Sequence, residues 1–138
     1  MFEVVILTVT PEFTQNELDT LLPLVTSDKQ KRIHRFHFFR DARNCLLGDI
    51  LARIEICCFT DLNINQIEFL VNEYGKLFVV DKPRIHFNIS HAGNYVAIYQ
   101  NAEAICHVCS TIQGPPFVKI ISTIELVKAV IYDKNTTL

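Results

Sequence analysis

No stretch of the 138-residue sequence stays apolar for the roughly 18 residues that a membrane-spanning helix needs. The opening Met1-Phe2-Glu3 lacks the basic start of a secretory signal. Cationic excess is missing too: thirteen Lys and Arg stand against fifteen Asp and Glu, a net charge of −2. That balance excludes a protein whose whole surface serves nucleic acid. The five cysteines, Cys45, Cys57, Cys58, Cys106 and Cys109, are odd in number and show no disulfide framework. A membrane partner and a nucleic-acid partner are therefore not expected, and the cytoplasm is the expected compartment. Cys57 and Cys58 fall in an apolar helical pattern, which predicts buried thiols.

What is present is a globular chain, 49% hydrophobic and 20% charged. Glu3 to Thr10 is β-branched and apolar and reads as a buried strand. Thr14 to Glu17 has the T-x-x-E form of a capping box, followed by Leu18, Leu21, Leu22 and Val25 at helical spacing. Ser27 to Gln30 repeats that start signal. The aromatic segment Phe36 to Arg40 predicts a break, and from Asp41 the positions Ala42, Cys45, Leu46, Ile50, Ile54 and Cys57 fit one stripe of a long helix. Asp49 and Glu55 fall on this helix, where surface or capping roles are expected.

The period then shortens to about two. Ile67 to Val71, Ile85 to Ser90 and Tyr95 to Tyr99 read as strands, and Leu77 to Val80 is short and apolar. Glu73-Tyr74-Gly75-Lys76 and His91-Ala92-Gly93-Asn94 read as turns, and Gly93-Asn94 suits a tight hairpin. This order predicts an α+β fold, with helices packed on a small antiparallel sheet.

Six of the thirteen basic residues, Lys29, Lys31, Arg32, Arg35, Arg40 and Arg43, lie within fifteen positions. Lys29 and Arg32 are three apart and share a helical face. Such a field on an acidic chain suits a phosphate-bearing small molecule; a solvated helix face is the plainer alternative.

Four segments point further: Ser27-Asp28-Lys29-Gln30-Lys31-Arg32 with Arg35-Phe36; Asp41 to Asp49; Asn72-Glu73-Tyr74-Gly75-Lys76; and His86-Phe87-Asn88-Ile89-Ser90-His91. Their order and spacing resemble the surfactin-synthetase-type 4'-phosphopantetheinyl transferases over about residues 1–105. The resemblance implies one half of a pseudo-dimeric fold. The implied activity moves the phosphopantetheine arm of coenzyme A onto a serine of an apo acyl or peptidyl carrier protein, in nonribosomal peptide or fatty-acid synthesis. It implies Lys29, Arg32 and His91 at the 3'-phosphate of coenzyme A, Ser90 at the pyrophosphate, and Tyr74-Gly75-Lys76 along the adenine, where glycine permits close approach. Arg43 is a further cofactor-binding candidate, since the family carries its arginine at the position of Asn44. Leu77 and Ala92 replace a family proline and serine.

The resemblance also implies Mg²⁺, held by two carboxylates of a G-I-D-x-E segment and a third from W-x-x-K-E. Here Cys106-His107-Val108-Cys109-Ser110 stands where the first two are expected, and the sequence has no tryptophan. No catalytic or metal residue is therefore assigned, and little activity is expected from this chain alone. Residues 106–138 form a divergent tail with no family match. Cys106-x-x-Cys109 also permits a zinc or redox reading, although no second cysteine pair accompanies it. A monomer is expected, with self-association as an option, and a non-catalytic module for coenzyme A or nucleotide phosphate is the alternative function. The abrupt end of the match near Ile105 predicts a frameshift. Reading the coding DNA in the other two frames should then restore a G-I-D-x-E segment; its absence from both would point to a natural divergent tail.

Overall fold

The computed structural model describes residues 3–102 and 117–126. Strand β1 (Glu3–Thr8) leads to helix α1 (Gln15–Leu21), a 3₁₀ turn at Leu22–Leu24, helix α2 (Ser27–His34) and helix α3 (Phe39–Phe59). A 3₁₀ turn at Ile64–Gln66 precedes strands β2 (Phe69–Val71), β3 (Leu77–Val79), β4 (Ile85–Ala92), β5 (Tyr95–Ala102) and β6 (Phe117–Ser122). The main sheet has the order β4-β5-β1-β6, and β2 and β3 form a separate hairpin. The chain is thus α+β, as its periodicities predict.

Local chemistry explains the element ends. The Thr14 backbone N–H donates to Glu17 Oε2 at 2.9 Å, closing the predicted capping box of α1. The Glu17 carboxyl is held below its ordinary pKa, chiefly by the Thr14 hydroxyl that donates to it. The second start signal is shifted by one residue. Thr26, not Ser27, caps α2, and its hydroxyl accepts from the Lys29 N–H at 3.3 Å. Gln30 does not complete a capping box; its amide donates to the Val25 carbonyl at 3.0 Å. The predicted break falls between His34 and Phe39.

Helix α3 departs most from the sequence pattern. Leu46, Leu47, Ile50, Leu51, Ala52 and Ile56 are all fully buried, so the helix is enclosed around most of its circumference rather than along one stripe. It packs on β4 and β5 on one side and on α1, α2 and the second 3₁₀ turn elsewhere. Asp49 and Glu55, expected at the surface, are buried as well. Cys45 and Cys57 are half-buried, but Cys58 is exposed, because successive helical positions diverge by about 100°.

The sheet is antiparallel through β4, β5 and β1, but β6 joins β1 in parallel. This strand comes from the segment to which the sequence pattern gave no place. Thr123 secures it: its hydroxyl lies 2.7 Å from the Thr10 hydroxyl, and Leu126 is buried. Strand β4 runs to Ala92, two residues beyond expectation, so His91 is in a strand and only Gly93 and Asn94 turn. Val5, Leu7, Val96 and Ile98 fill the sheet face under α3, whereas Tyr95, Tyr99 and Ile120 are exposed.

The contact between α3 and the sheet depends on Gly48. A Cβ there would lie 2.8 Å from Ile89 Cγ2 and 3.7 Å from Val96 Cγ1. The first separation is too short for two carbons. Gly48→Ala should therefore destabilise the fold by about 1–2 kcal/mol, the clash outweighing the better helix propensity of alanine. Adding Ile89→Ala should cost less than its effect alone. Urea denaturation of the two single variants and the double variant measures both effects.

Candidate functional site

The turn between β2 and β3 is built by Asn72. Its Oδ1 accepts from the N–H groups of Tyr74 (2.9 Å) and Lys76 (3.0 Å), and its own N–H donates to the Lys76 carbonyl at 2.9 Å. Gly75 has a φ of 81°, which favours glycine. A Cβ there would meet no protein atom within 4 Å. Tyr74 is 86% exposed. Together with Leu77, Tyr74, Gly75 and Lys76 face Phe87, Asn88 and Ile89 of β4 across an open cleft of about 380 Å³. The sequence-predicted turn and the F-N-I segment are thus brought together.

Ser90 and His91 continue β4 just beyond this cleft, and both are exposed. Strand alternation directs their side chains to opposite faces. Because β4 is an edge strand, both faces remain reachable from its open side. Lys29 is half-buried and Arg32 exposed on α2. Among the described residues no carboxylate pairs with either, so both cations remain available. Neither lines the cleft. A second open cleft of about 410 Å³ at the start of α3 is lined by Phe38, Phe39, Arg40 and Asp41.

Arg43 is 8% exposed and engaged inside the protein. Its Nε donates to Asn44 Oδ1 at 3.1 Å and its Nη2 to the Gly93 carbonyl at 2.8 Å. Burial and, second, the charge of Arg40 lower the pKa of its guanidinium.

The pattern of the sequence also conceals the residue that supports the cleft. Arg53 Nε donates to Asp49 Oδ1 at 2.5 Å, both groups being buried. Arg53 Nη1 donates to the carbonyls of Ile67 (2.7 Å) and Ile64 (3.3 Å), fixing the segment that enters β2. Its guanidinium lies 4.9 Å from the Phe69 ring centroid, and Phe69 packs at 5.3 Å on Phe87, a cleft residue. An acid and a base four apart on a helix usually signal a surface pair. The clue to burial is that apolar residues flank each of them. Arg53→Met should destabilise the protein by about 3–5 kcal/mol, because it leaves the Asp49 carboxylate buried and unpaired. The double variant Asp49→Leu with Arg53→Met should recover part of that loss in urea denaturation.

Comparison with known proteins places this architecture. The family model described as 4'-phosphopantetheinyl transferase, N-terminal, matches residues 11–103. The chain is 42% identical over 83 residues to the 4'-phosphopantetheinyl transferase ffp of Bacillus subtilis, covering 60% of this chain and 37% of that protein. It is 37% identical over 83 residues to 4'-phosphopantetheinyl transferase Sfp of Bacillus subtilis strain 168, with the same coverage. It is 34% identical over 96 residues to 4'-phosphopantetheinyl transferase gsp of Aneurinibacillus migulanus, covering 70% of this chain and 40% of that protein. The matched region spans about two fifths of the length of these relatives. With the family model running through all four motif segments, the chain belongs to the 4'-phosphopantetheinyl transferase family, in its N-terminal portion.

Proposed function

We propose that this chain supplies the coenzyme A-recognising portion of a 4'-phosphopantetheinyl transferase. The observation that carries the reading is the family match over residues 11–103, which contains every assigned recognition residue. In the transfer, a serine hydroxyl of an apo acyl or peptidyl carrier protein forms a bond to the phosphorus that bears the pantetheine arm. The bond from that phosphorus to the bridging pyrophosphate oxygen breaks, and adenosine 3',5'-bisphosphate leaves.

Lys29, Arg32 and His91 bind the 3'-phosphate in this reading, with Ser90 at the pyrophosphate and Tyr74-Gly75-Lys76 beside the adenine. Two features support it. Lys29 and Arg32 are cations without carboxylate partners among the described residues, and helical neighbours three apart can converge on one phosphate. Ser90 and His91 diverge from an edge strand, which suits two separate anionic groups of one ligand.

The metal is a different matter. Among the described residues no group of three or more His, Cys, Asp or Glu could hold a metal ion. His107 to Ser110, at the expected register of the carboxylates, lie outside the described residues. No step is routed through Mg²⁺. Low transfer activity of this chain alone belongs to the proposal, and non-catalytic coenzyme A binding is the second reading that the same observation favours. No described helix is long and apolar enough to cross a membrane. A cytoplasmic monomer completes the reading.

Calorimetry should show coenzyme A bound about tenfold or more tightly than dephospho-coenzyme A, a difference near 1.4 kcal/mol. Lys29→Ala and Arg32→Ala should erase that preference, whereas equal or absent binding by the wild-type chain would defeat the assignment. Incubation with coenzyme A, Mg²⁺ and an apo carrier protein should leave most of the carrier unmodified by mass spectrometry. A robust mass gain would establish transfer and overturn the low-activity reading.

A further inference from the structure

We infer that Arg43 and Asn44 act as positioning residues, clamping the β4–β5 turn so that His91 is held in place, rather than touching the ligand. The inference rests on the coenzyme A reading for its functional consequence, but its geometry is independent of any ligand.

The Gly93 carbonyl accepts twice: from Arg43 Nη2 at 2.8 Å and from Asn44 Nδ2 at 3.1 Å. Arg43 Nη2 also lies 3.4 Å from Asn94 Oδ1. Consecutive helical residues normally diverge by about 100°, so two of them seldom serve one acceptor. Here the length of the arginine side chain overcomes that divergence. The bond from Arg43 Nε to Asn44 Oδ1 joins the two side chains and turns the Asn44 amide so that its N–H₂ meets Gly93. Both residues are buried, at 8% and 2% exposure, while Ala92, Gly93, Asn94 and Tyr95 are exposed. A buried guanidinium is costly unless hydrogen bonds satisfy it, and three of those bonds converge on this turn or its partner amide.

The turn is also held from the opposite side. The Val9 N–H, just after β1, donates to the Asn94 carbonyl at 2.8 Å. Two elements distant in sequence thus fix a two-residue turn with a positive φ of 57° at Gly93. His91 stands two residues before that glycine and pairs with Val96 across the hairpin. Any tilt of the turn therefore moves His91 relative to α3. Arg43, one position before the family's own arginine, and Asn44, at that position, share the carbonyl between them.

The test compares wild type, Arg43→Lys and Asn44→Ala by NMR on the full chain. Lysine keeps the charge but cannot reproduce a planar fork of donors. In both variants the Val9 amide should exchange with solvent at least tenfold faster and the His91 imidazole signal should shift. Leu47 and Ile50 amides should stay protected, which excludes global unfolding. Coenzyme A affinity should fall about tenfold in Arg43→Lys. Combining Arg43→Lys with His91→Ala should weaken binding no more than His91→Ala alone, the signature of one residue acting through another. Unchanged Val9 exchange and His91 signal, or additive losses in the double variant, would overturn the inference. A wild-type chain that binds no coenzyme A would defeat the proposed site, and the exchange data would then decide the clamp by themselves.

Discussion

The close approach of α3 to the β4–β5 hairpin is the constraint on which the rest depends. With Gly48 directly over Ile89, the helix lies too near the strand for any side chain at that position. That proximity lets residues on either side of Gly48 reach backbone groups of two different loops. Arg43 and Asn44, toward the helix N-terminus, hold the turn after His91. Arg53, toward the C-terminus, holds the segment entering the β2–β3 hairpin. Ten residues separate Arg43 from Arg53, about 15 Å of helix axis. One helix thus sets the spacing between two loop segments far apart in sequence.

This arrangement also explains why buried charge is tolerated in α3. Asp49 and Arg53 neutralise each other, and Arg53 directs further donors to the Ile64 and Ile67 carbonyls at a short 3₁₀ turn. Gln100 is less complete: its amide donates to Glu55 Oε2 at 3.2 Å, while its Oε1 has no hydrogen-bond partner among the described residues. Polar groups cluster where α3 meets the sheet and loops, and the fully apolar positions Leu46, Leu47, Ile50 and Leu51 seal the space between them.

Much of the fold is legible in the sequence because its signals are local. The β-branched run of β1, the T-x-x-E cap of α1, the aromatic break before α3 and the Gly93-Asn94 hairpin each rest on a few neighbouring residues. The misread features are those that depend on distant partners. A single stripe on α3 is the natural pattern for a helix with one buried side; enclosure by helices and loops on its other sides buries Asp49, while Glu55 is buried against Gln100 of β5. Strand β6 is recognisable only through its pairing with β1, more than 110 residues earlier. His91 reads as a turn residue because Gly93 follows so closely, yet pairing with Val96 keeps it in the strand. For the site, the resemblance supplied the residues, and the structure adds the supports, Asn72, Arg53 and the Arg43–Asn44 pair, whose roles are set by carbonyls that no sequence pattern displays.

The described residues provide cations on α2, a turn organised by Asn72 and an edge strand at β4, and the proposal reads these as the parts that meet coenzyme A. The central claim is the proposal that residues of α2, the β2–β3 turn and the end of β4 recognise coenzyme A. Titrating coenzyme A into the isotopically labelled chain and following amide and side-chain NMR signals tests it most directly. The account predicts saturable shifts at Lys29, Arg32, Tyr74, Gly75, Lys76, Ser90 and His91, with Ile120 on β6, at the far edge of the sheet from β4, unmoved. Shifts confined to that far edge, or none at all, would contradict it.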